Sequence, residues 1–283
     1  MLKVICVIGH GVNLIPHFIK HYLGLYVDEI NFVVYSSDLY PNLKDEVERS
    51  IGDRKGVKII GNVHHRVFDW EKVTDLYNRY TKEFPNDWWI VADIDEFHVY
   101  PMQPRKITED CNVNGWKIVR GGFIDRIGEG GRFPEINEYE NIFNQFPLAG
   151  FFRYPMSGAC PNKICIKRGD IEITPGQHYA KILGHTTWRW QGWDHPLIAP
   201  INEYSVQVHH FKWDSTCLDR IKSVAEIGKD YSFSDEYKIM YDAIINNRSR
   251  INVGTQEFMF EENAGEYHQY KKWKKLIKTI ISI

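Results

Sequence analysis

Four short apolar runs, LKVICVI at 2–8, INFVVY at 30–35, VKII at 57–60 and WWIVA at 88–92, are separated by stretches of helical periodicity. This alternation constrains the fold more than any other feature. Strands buried on both faces read as continuous apolar runs, and they belong in a parallel sheet covered by helices and joined by right-handed crossovers. The spacing predicts a helix over 13–25, with Leu14, Phe18, Tyr22 and Leu25 on one face and Gly24 near its stop. A charged surface helix is expected over 43–51. A third is expected over 69–84, with Trp70, Val73, Leu76, Tyr77 and Tyr80 on one face and Asp69 as its cap. Past residue 100 the regularity fades. Segments 113–128, 148–173 and 204–213 read as strand-rich, and from about Leu218 the pattern is helical. No internal repeat or linker-like stretch interrupts the chain, so one continuous α/β domain with a helical C-terminal part is expected.

At 283 residues, 43% hydrophobic and 25% charged, the chain has the composition of a folded protein, not a disordered one. A net charge of −2 argues against a nucleic-acid partner, which usually calls for a basic excess. The five cysteines are an odd number, widely spaced and without a CxxC pair. They read as buried free thiols in a reducing compartment. The first apolar run is short for a signal peptide and no run is long enough to span a bilayer, so a cytoplasmic protein is expected. The unusual figure is the aromatic content, 14% with nine tryptophans.

Asp93-Ile94-Asp95 follows the last of the four apolar runs directly. If the strand continues, residues two apart share a side, so both carboxylates face one site while Ile94 faces the core. Open α/β sheets bind ligands at the carboxyl ends of their strands. Two adjacent carboxylates repel unless a cation or proton lies between them. Mg²⁺ or Mn²⁺, taking one or two carboxylates and completing its shell with phosphate oxygens, suits such a pair. The plain alternative is a solvated acidic turn.

The segment WWIVADIDEFHVYP resembles the metal-binding segment of the glycosyltransferase family-two-like group, whose fold is the GT-A fold. Further similarity follows in order: GGFIDRIGEGGRFPEI at 121–136, FNQFPL at 143–148, NKICIKRGDIEITPGQHYA at 162–180 and VHHFKWD at 208–214. The first loop departs from the group, carrying Gly9-His10-Gly11-Val12-Asn13 where many members have an Asn-Glu pair. The resemblance implies a Rossmann-like, mixed but mainly parallel sheet flanked by helices. A catalytic domain would span 1–225, with a donor-binding half over about 1–100 and an acceptor half over about 101–225, and 226–283 would form a helical extension. It implies a metal-dependent, inverting hexosyltransferase-type enzyme that moves a sugar from a nucleotide-diphosphate sugar to the hydroxyl of a glycan or lipid-linked acceptor.

On that resemblance Asp95 is the direct Mn²⁺ or Mg²⁺ ligand and Asp93 touches the metal or the ribose. Glu96 either orients the acceptor or ends the strand. His210, favoured over His209, supplies a third ligand, and Lys212 meets a phosphate as a point charge. Donor contacts fall to Gly9, His10 and Asn13 in the first loop and to Ser36 and Asp38 after the second strand, although Ser and Asp also serve ordinary turns. Candidate bases for the acceptor hydroxyl are Asp125, Glu135, His178 and Asp194. Asp125 could instead pair structurally with Arg126.

Asp194 lies in the aromatic loop Trp188-Arg189-Trp190-Gln191-Gly192-Trp193-Asp194-His195-Pro196, whose rings could stack on sugar faces or fill the core. In YKKWKKLIKTIISI, residues 270–283, Trp273, Leu276, Ile277, Ile280 and Ile281 form one stripe flanked by lysines. That pattern fits peripheral contact with a cytoplasmic membrane face, or packing on protein. Two rival classes remain. A haloacid-dehalogenase-type phosphohydrolase carries its acidic pair on the first strand and has Thr or Val where this chain has Phe97. A non-catalytic carbohydrate-binding protein could keep the same fold.

Overall fold

The computed structural model describes residues 1–152, 157–158, 160–182, 185–186, 195–227, 233–254 and 258–261. In chain order the elements are β1 (Leu2–Ile8), α1 (Ile15–Gly24), β2 (Glu29–Ser36), α2 (Leu43–Ile51), β3 (Val57–His64), α3 (Trp70–Lys82), β4 (Trp88–Val91), β5 (Glu96–Val99), α4 (Pro104–Asn114) and β6 (Ile118–Ile127). There follow α5 (Ile142–Gln145), β7 (Leu148–Phe152), β8 (Asn162–Arg168), β9 (Glu172–Ile173), β10 (Ala180–Ile182), β11 (His185–Thr186), α6 (Ile201–Tyr204), β12 (Val206–His210), α7 (Cys217–Ile227), α8 (Ser234–Asn246) and β13 (Phe258–Glu261). These form two compact units, Met1–Gly122 with Pro161–Val208, and Phe123–Cys160 with His209–Ile283.

The first unit carries the expected Rossmann-like mixed α/β arrangement. Strands β4, β1, β2 and β3 run parallel in that order. β8 pairs antiparallel with β4, and the start of β6 pairs antiparallel with β8. Both faces of β1 are buried, and the period of two sorts its side chains. Ile5 and Val7 join Val33, Tyr35, Trp89 and Val91 in the cluster that takes Val73, Leu76 and Tyr77 from α3. On α1, Phe18 meets Phe32 of β2, with ring centroids 5.7 Å apart. Asp69 caps α3 as expected, accepting from the Glu71 and Lys72 amides at 2.9 and 3.2 Å. Such a cap stabilises a helix by about 1 kcal/mol.

Helix α4 has no counterpart in the sequence reading. Pro104, Ile107, Thr108 and Cys111 form its buried stripe, Pro104 sits at its start, and Gly115 ends it in the left-handed region. All five cysteines are free, and four of them are buried. Phe32, Trp88 and Trp89 are core residues. In the second unit, the far half of β6 pairs with β7, which pairs with β13. Its core gathers Ile127, Leu148, Phe152, Trp213, Ile221, Met240 and Ile244. Among the described residues no helix is long and apolar enough to cross a membrane. Residues 270–283 and the loop 187–194 lie outside the described residues.

Lys167 on β8 is fully buried, donating to Thr81 Oγ1 at 2.6 Å and Ile171 O at 2.7 Å. Burial pulls its pKa down to about 7. Between that value and the ordinary lysine value of 10.5 the unfolded chain holds a proton that the folded one has released. Stability should therefore rise with pH across this window, by up to about 1.4 kcal/mol per unit, and stay at its lower level below it. Lys167→Met should remove that slope in urea titrations at pH 7, 8 and 9. A variant retaining the wild-type slope would contradict the assignment.

Candidate functional site

In the first unit β1 has β4 on one side and β2 on the other, so the direction of sheet growth reverses between β1 and β4. At such a switch point the loops leaving two neighbouring strands diverge and open a crevice at their carboxyl ends. One lip is the loop Gly9–Asn13. The other is the acidic turn.

Gly11 joins the two lips. It adopts φ +76°, a conformation side chains rarely take, and a Cβ there would lie 3.1 Å from Ile94 Cγ2. The sequence reading missed this residue, although a glycine in that loop is a plain signal.

The acidic segment is a turn and not a continuation of the strand. β4 ends at Val91, the Glu96 amide donates to Asp93 O at 3.0 Å, and β5 begins at Glu96. The expected side-by-side display of Asp93 and Asp95 on an extended strand is thereby corrected. The chain must reverse within a few residues to start β5, and a β-turn rotates successive side chains away from strict alternation. Asp95 is 8% exposed and Glu96 1% exposed, while Asp93 keeps 28% of its side chain accessible.

Around Asp93 the protein builds a dense polar cluster. Tyr77 O–H donates to Asp93 Oδ1 at 2.7 Å and Gln177 Nε2 donates to the same oxygen at 3.1 Å. Lys163 Nζ lies 3.3 Å from Asp93 Oδ2 and 2.5 Å from Glu96 Oε1. Glu96 Oε2 accepts from the Asp93 amide at 3.1 Å. Burial raises the Asp93 pKa, and Glu96 and Asp95 add to that while Lys163 and Tyr77 oppose it. Burial alone would lower Lys163, but Asp93 and Glu96 outweigh it and hold the ammonium charged.

Tyr77 also accepts from the Val7 amide at 3.1 Å. β1 and β4 are in register only as far as Ile5 and Val91, so this amide would otherwise be stranded in the crevice. Gln177 adopts φ 53°, left-handed for a residue with a side chain, and is 2% exposed. Its Oε1 has no hydrogen-bond partner among the described residues. Strain of this kind concentrates where a side chain must be aimed. Lys163, Tyr77 and Gln177 are absent from the sequence-derived site. Tyr77 was read only as core, and Lys163 and Gln177 only as parts of one similar stretch.

The other sequence candidates fall as follows. Asn13 is exposed, on the short turn Val12–Leu14 that leads into α1. The His10 ring lies 6.4 Å from that of Tyr40. Ser36 and Asp38 both meet His64: Ser36 Oγ is 3.2 Å from Nδ1, and Asp38 Oδ1 is 3.3 Å from Nε2. His178 Nδ1 donates to Asn162 O at 2.8 Å, and burial together with Lys163 lowers its pKa to about 4, so its ring is neutral at neutral pH.

In the second unit, His210 Nδ1 lies 3.2 Å from Asp125 Oδ1, which also accepts from Trp213 Nε1 at 3.0 Å. Arg126 turns elsewhere, donating to Phe146 O at 3.0 Å and Phe143 O at 3.2 Å. Its neighbour on the strand faces the opposite side, which separates the two groups. Lys212 Nζ sits 4.7 Å from the Trp213 ring centroid. Glu135 is exposed. His209 is fully buried, its ring 5.1 Å from that of Phe143. Asp194, Trp188, Trp190 and Trp193 lie outside the described residues.

Carboxylates at a turn are the right donors for a hard divalent ion. Among the described residues, however, no group of three or more His, Cys, Asp or Glu is placed to hold one. Asp93 has both oxygens engaged, Oδ1 by Tyr77 and Gln177 and Oδ2 by Lys163.

No protein-family model matches the chain, and no curated protein sequence matches it. Among solved structures, similarity is found to a chain assigned as a glucose-1-phosphate thymidylyltransferase from Bacillus anthracis, with 10% identity and a TM-score of 0.32, over 100% of this chain and 96% of that one. S. aureus TarS 1-349 gives 11% identity and a TM-score of 0.33 over 89% and 73%. HddC from Yersinia pseudotuberculosis gives 9% and 0.33 over 75% and 91%. Similarities of this size define neither fold nor activity for this chain.

Proposed function

We propose that the chain is a GT-A-type glycosyltransferase that takes its sugar from a nucleotide-diphosphate donor bound at the carboxyl ends of β1, β2 and β4. The observation that carries this reading is the acidic turn Asp93–Asp95 at the switch point of a 3-2-1-4 parallel sheet. There the floor of a nucleotide crevice and a pair of carboxylates coincide. A phosphohydrolase would carry its acidic pair at the end of β1, where this chain has Gly9-His10-Gly11.

In this reading Asp95 holds a Mn²⁺ or Mg²⁺ ion jointly with the donor phosphates, and the ion, when bound, neutralises charge on the departing nucleoside diphosphate. Asp93, fixed by Tyr77, Gln177 and Lys163, accepts a hydrogen bond from a donor hydroxyl through its accessible edge. His10 and Asn13 border the donor phosphates, and Ser36 and Asp38 border the nucleoside. In the second unit we assign Asp125 the task of orienting His210: a carboxylate on Nδ1 fixes the tautomer and presents Nε2. The acceptor is a glycan or lipid-linked saccharide hydroxyl.

A thermal-shift screen of nucleoside diphosphates and nucleotide sugars with Mn²⁺ tests the donor assignment. One nucleotide series should raise the melting temperature by mass action, and Asp95→Ala should lose most of the metal-dependent part of that shift. A wild type indifferent to every nucleotide would sink the proposal.

A further inference from the structure

The acidic turn already contains a cation. We infer that Lys163 is the resident counter-ion of Asp93 and Glu96 and that it keeps Asp93 out of any divalent-cation shell. The inference stands apart from the proposed donor site.

The geometry of β8 places the lysine there. Trp88, Trp89 and Ile90 of β4 pair with Arg168, Lys167 and Ile166 in antiparallel register. Continuing that register three residues past Ile90 brings Lys163 level with Asp93, just beyond the end of β4. Its side chain is 1% exposed, and its ammonium sits between a carboxylate oxygen of Asp93 at 3.3 Å and one of Glu96 at 2.5 Å. That is where a metal shared by the two acids would otherwise lie.

The opposite oxygen of Asp93 is taken by Tyr77 and Gln177. A divalent ion approaching Asp93 would have to displace neutral donors from one oxygen, or meet a buried like charge at the other. Glu96, 1% exposed and ion-paired, is equally committed. Lysine suits this task because its compact ammonium can serve two acids at once and stays with the protein. The arrangement makes the acidic turn complete without metal, so the empty protein should have little affinity for a divalent ion.

Mn²⁺ binding followed by electron paramagnetic resonance, without nucleotide, tests this directly. Wild type and Asp93→Asn should bind Mn²⁺ equally weakly. Lys163→Gln, which leaves the two acids unneutralised, should gain at least about tenfold in affinity, and Lys163→Gln combined with Glu96→Gln should lose that gain. Tight binding by wild type that Asp93→Asn abolishes would overturn the inference, as would a folded Lys163→Gln protein that binds no better than wild type. If circular dichroism shows Lys163→Gln unfolded, the comparison of wild type with Asp93→Asn still decides. A separate arm adding nucleoside diphosphate and Mn²⁺ together keeps the two ideas apart. Failure there removes the donor proposal and leaves the metal-free comparison standing.

Discussion

Asp95→Asn is expected to lower turnover about a thousandfold. The substitution keeps size and hydrogen-bonding capacity but removes the carboxylate charge of the proposed metal ligand. A metal contributes several kcal/mol of charge stabilisation to a departing phosphate, and about 4 kcal/mol corresponds to that factor. The measurement is release of nucleoside diphosphate from whichever nucleotide sugar stabilises the wild type, so no knowledge of the acceptor is needed. Asp93→Asn provides the contrast. Because Lys163, Tyr77 and Gln177 hold Asp93, its loss should appear chiefly in KM and leave the Mn²⁺ dependence of the rate unchanged. Equal, metal-independent losses at both positions would refute the division of labour.

Glu96→Leu should cost about 3 kcal/mol of folding stability, one of the largest single effects available in the first unit. It takes from Lys163, which is 1% exposed, its 2.5 Å partner and leaves the longer 3.3 Å contact to Asp93. Breaking a buried pair leaves an uncompensated charge, whereas replacing both members by apolar side chains is often close to neutral. The double variant Glu96→Leu with Lys163→Met should therefore recover most of the loss, a coupling that urea midpoints can read. If the double variant is as unstable as the sum of the singles, the pair is not what holds this corner.

The parallel sheet was legible chiefly through β1, β2 and β4, which are buried almost throughout and so read as unbroken apolar runs, whereas β3 is only partly buried. β1 and β2 are so buried that LKVICVI and INFVVY leave no other choice. Asp69 announced α3 for the same local reason. Helix α4 was equally open to pattern reading, through Pro104, the 104/107/108/111 stripe and Gly115. It was missed because its apolar positions are mixed with Thr and Cys.

The site divided differently. Asp93 and Asp95 stood out as charges after an apolar run, but their geometry depended on a turn that strand periodicity cannot see. Lys163 and Gln177 reach Asp93 across 70 and 84 residues of chain. Nothing local in a lysine on a strand or a Gln after Pro-Gly distinguishes them. Only the strand register, a long-range property, brings 163 level with 93. Tyr77 shows a further limit, since one side chain both fills the core and caps the Val7 amide. A hydrophobic stripe reveals the first role and hides the second.

The contact between Gly11 and Ile94 has a bearing on how a ligand is met. Two loops from different strands usually fluctuate independently, and ordering both is charged against binding. Here a turn in the first loop lies against the one apolar residue of the acidic turn, and a Cβ at position 11 would crowd Ile94 Cγ2 at 3.1 Å. That contact ties the two loops to each other. On the proposed donor reading, discrimination among nucleotides should then come from Asp38 and His64, which are 61% and 55% exposed and lie 3.3 Å apart.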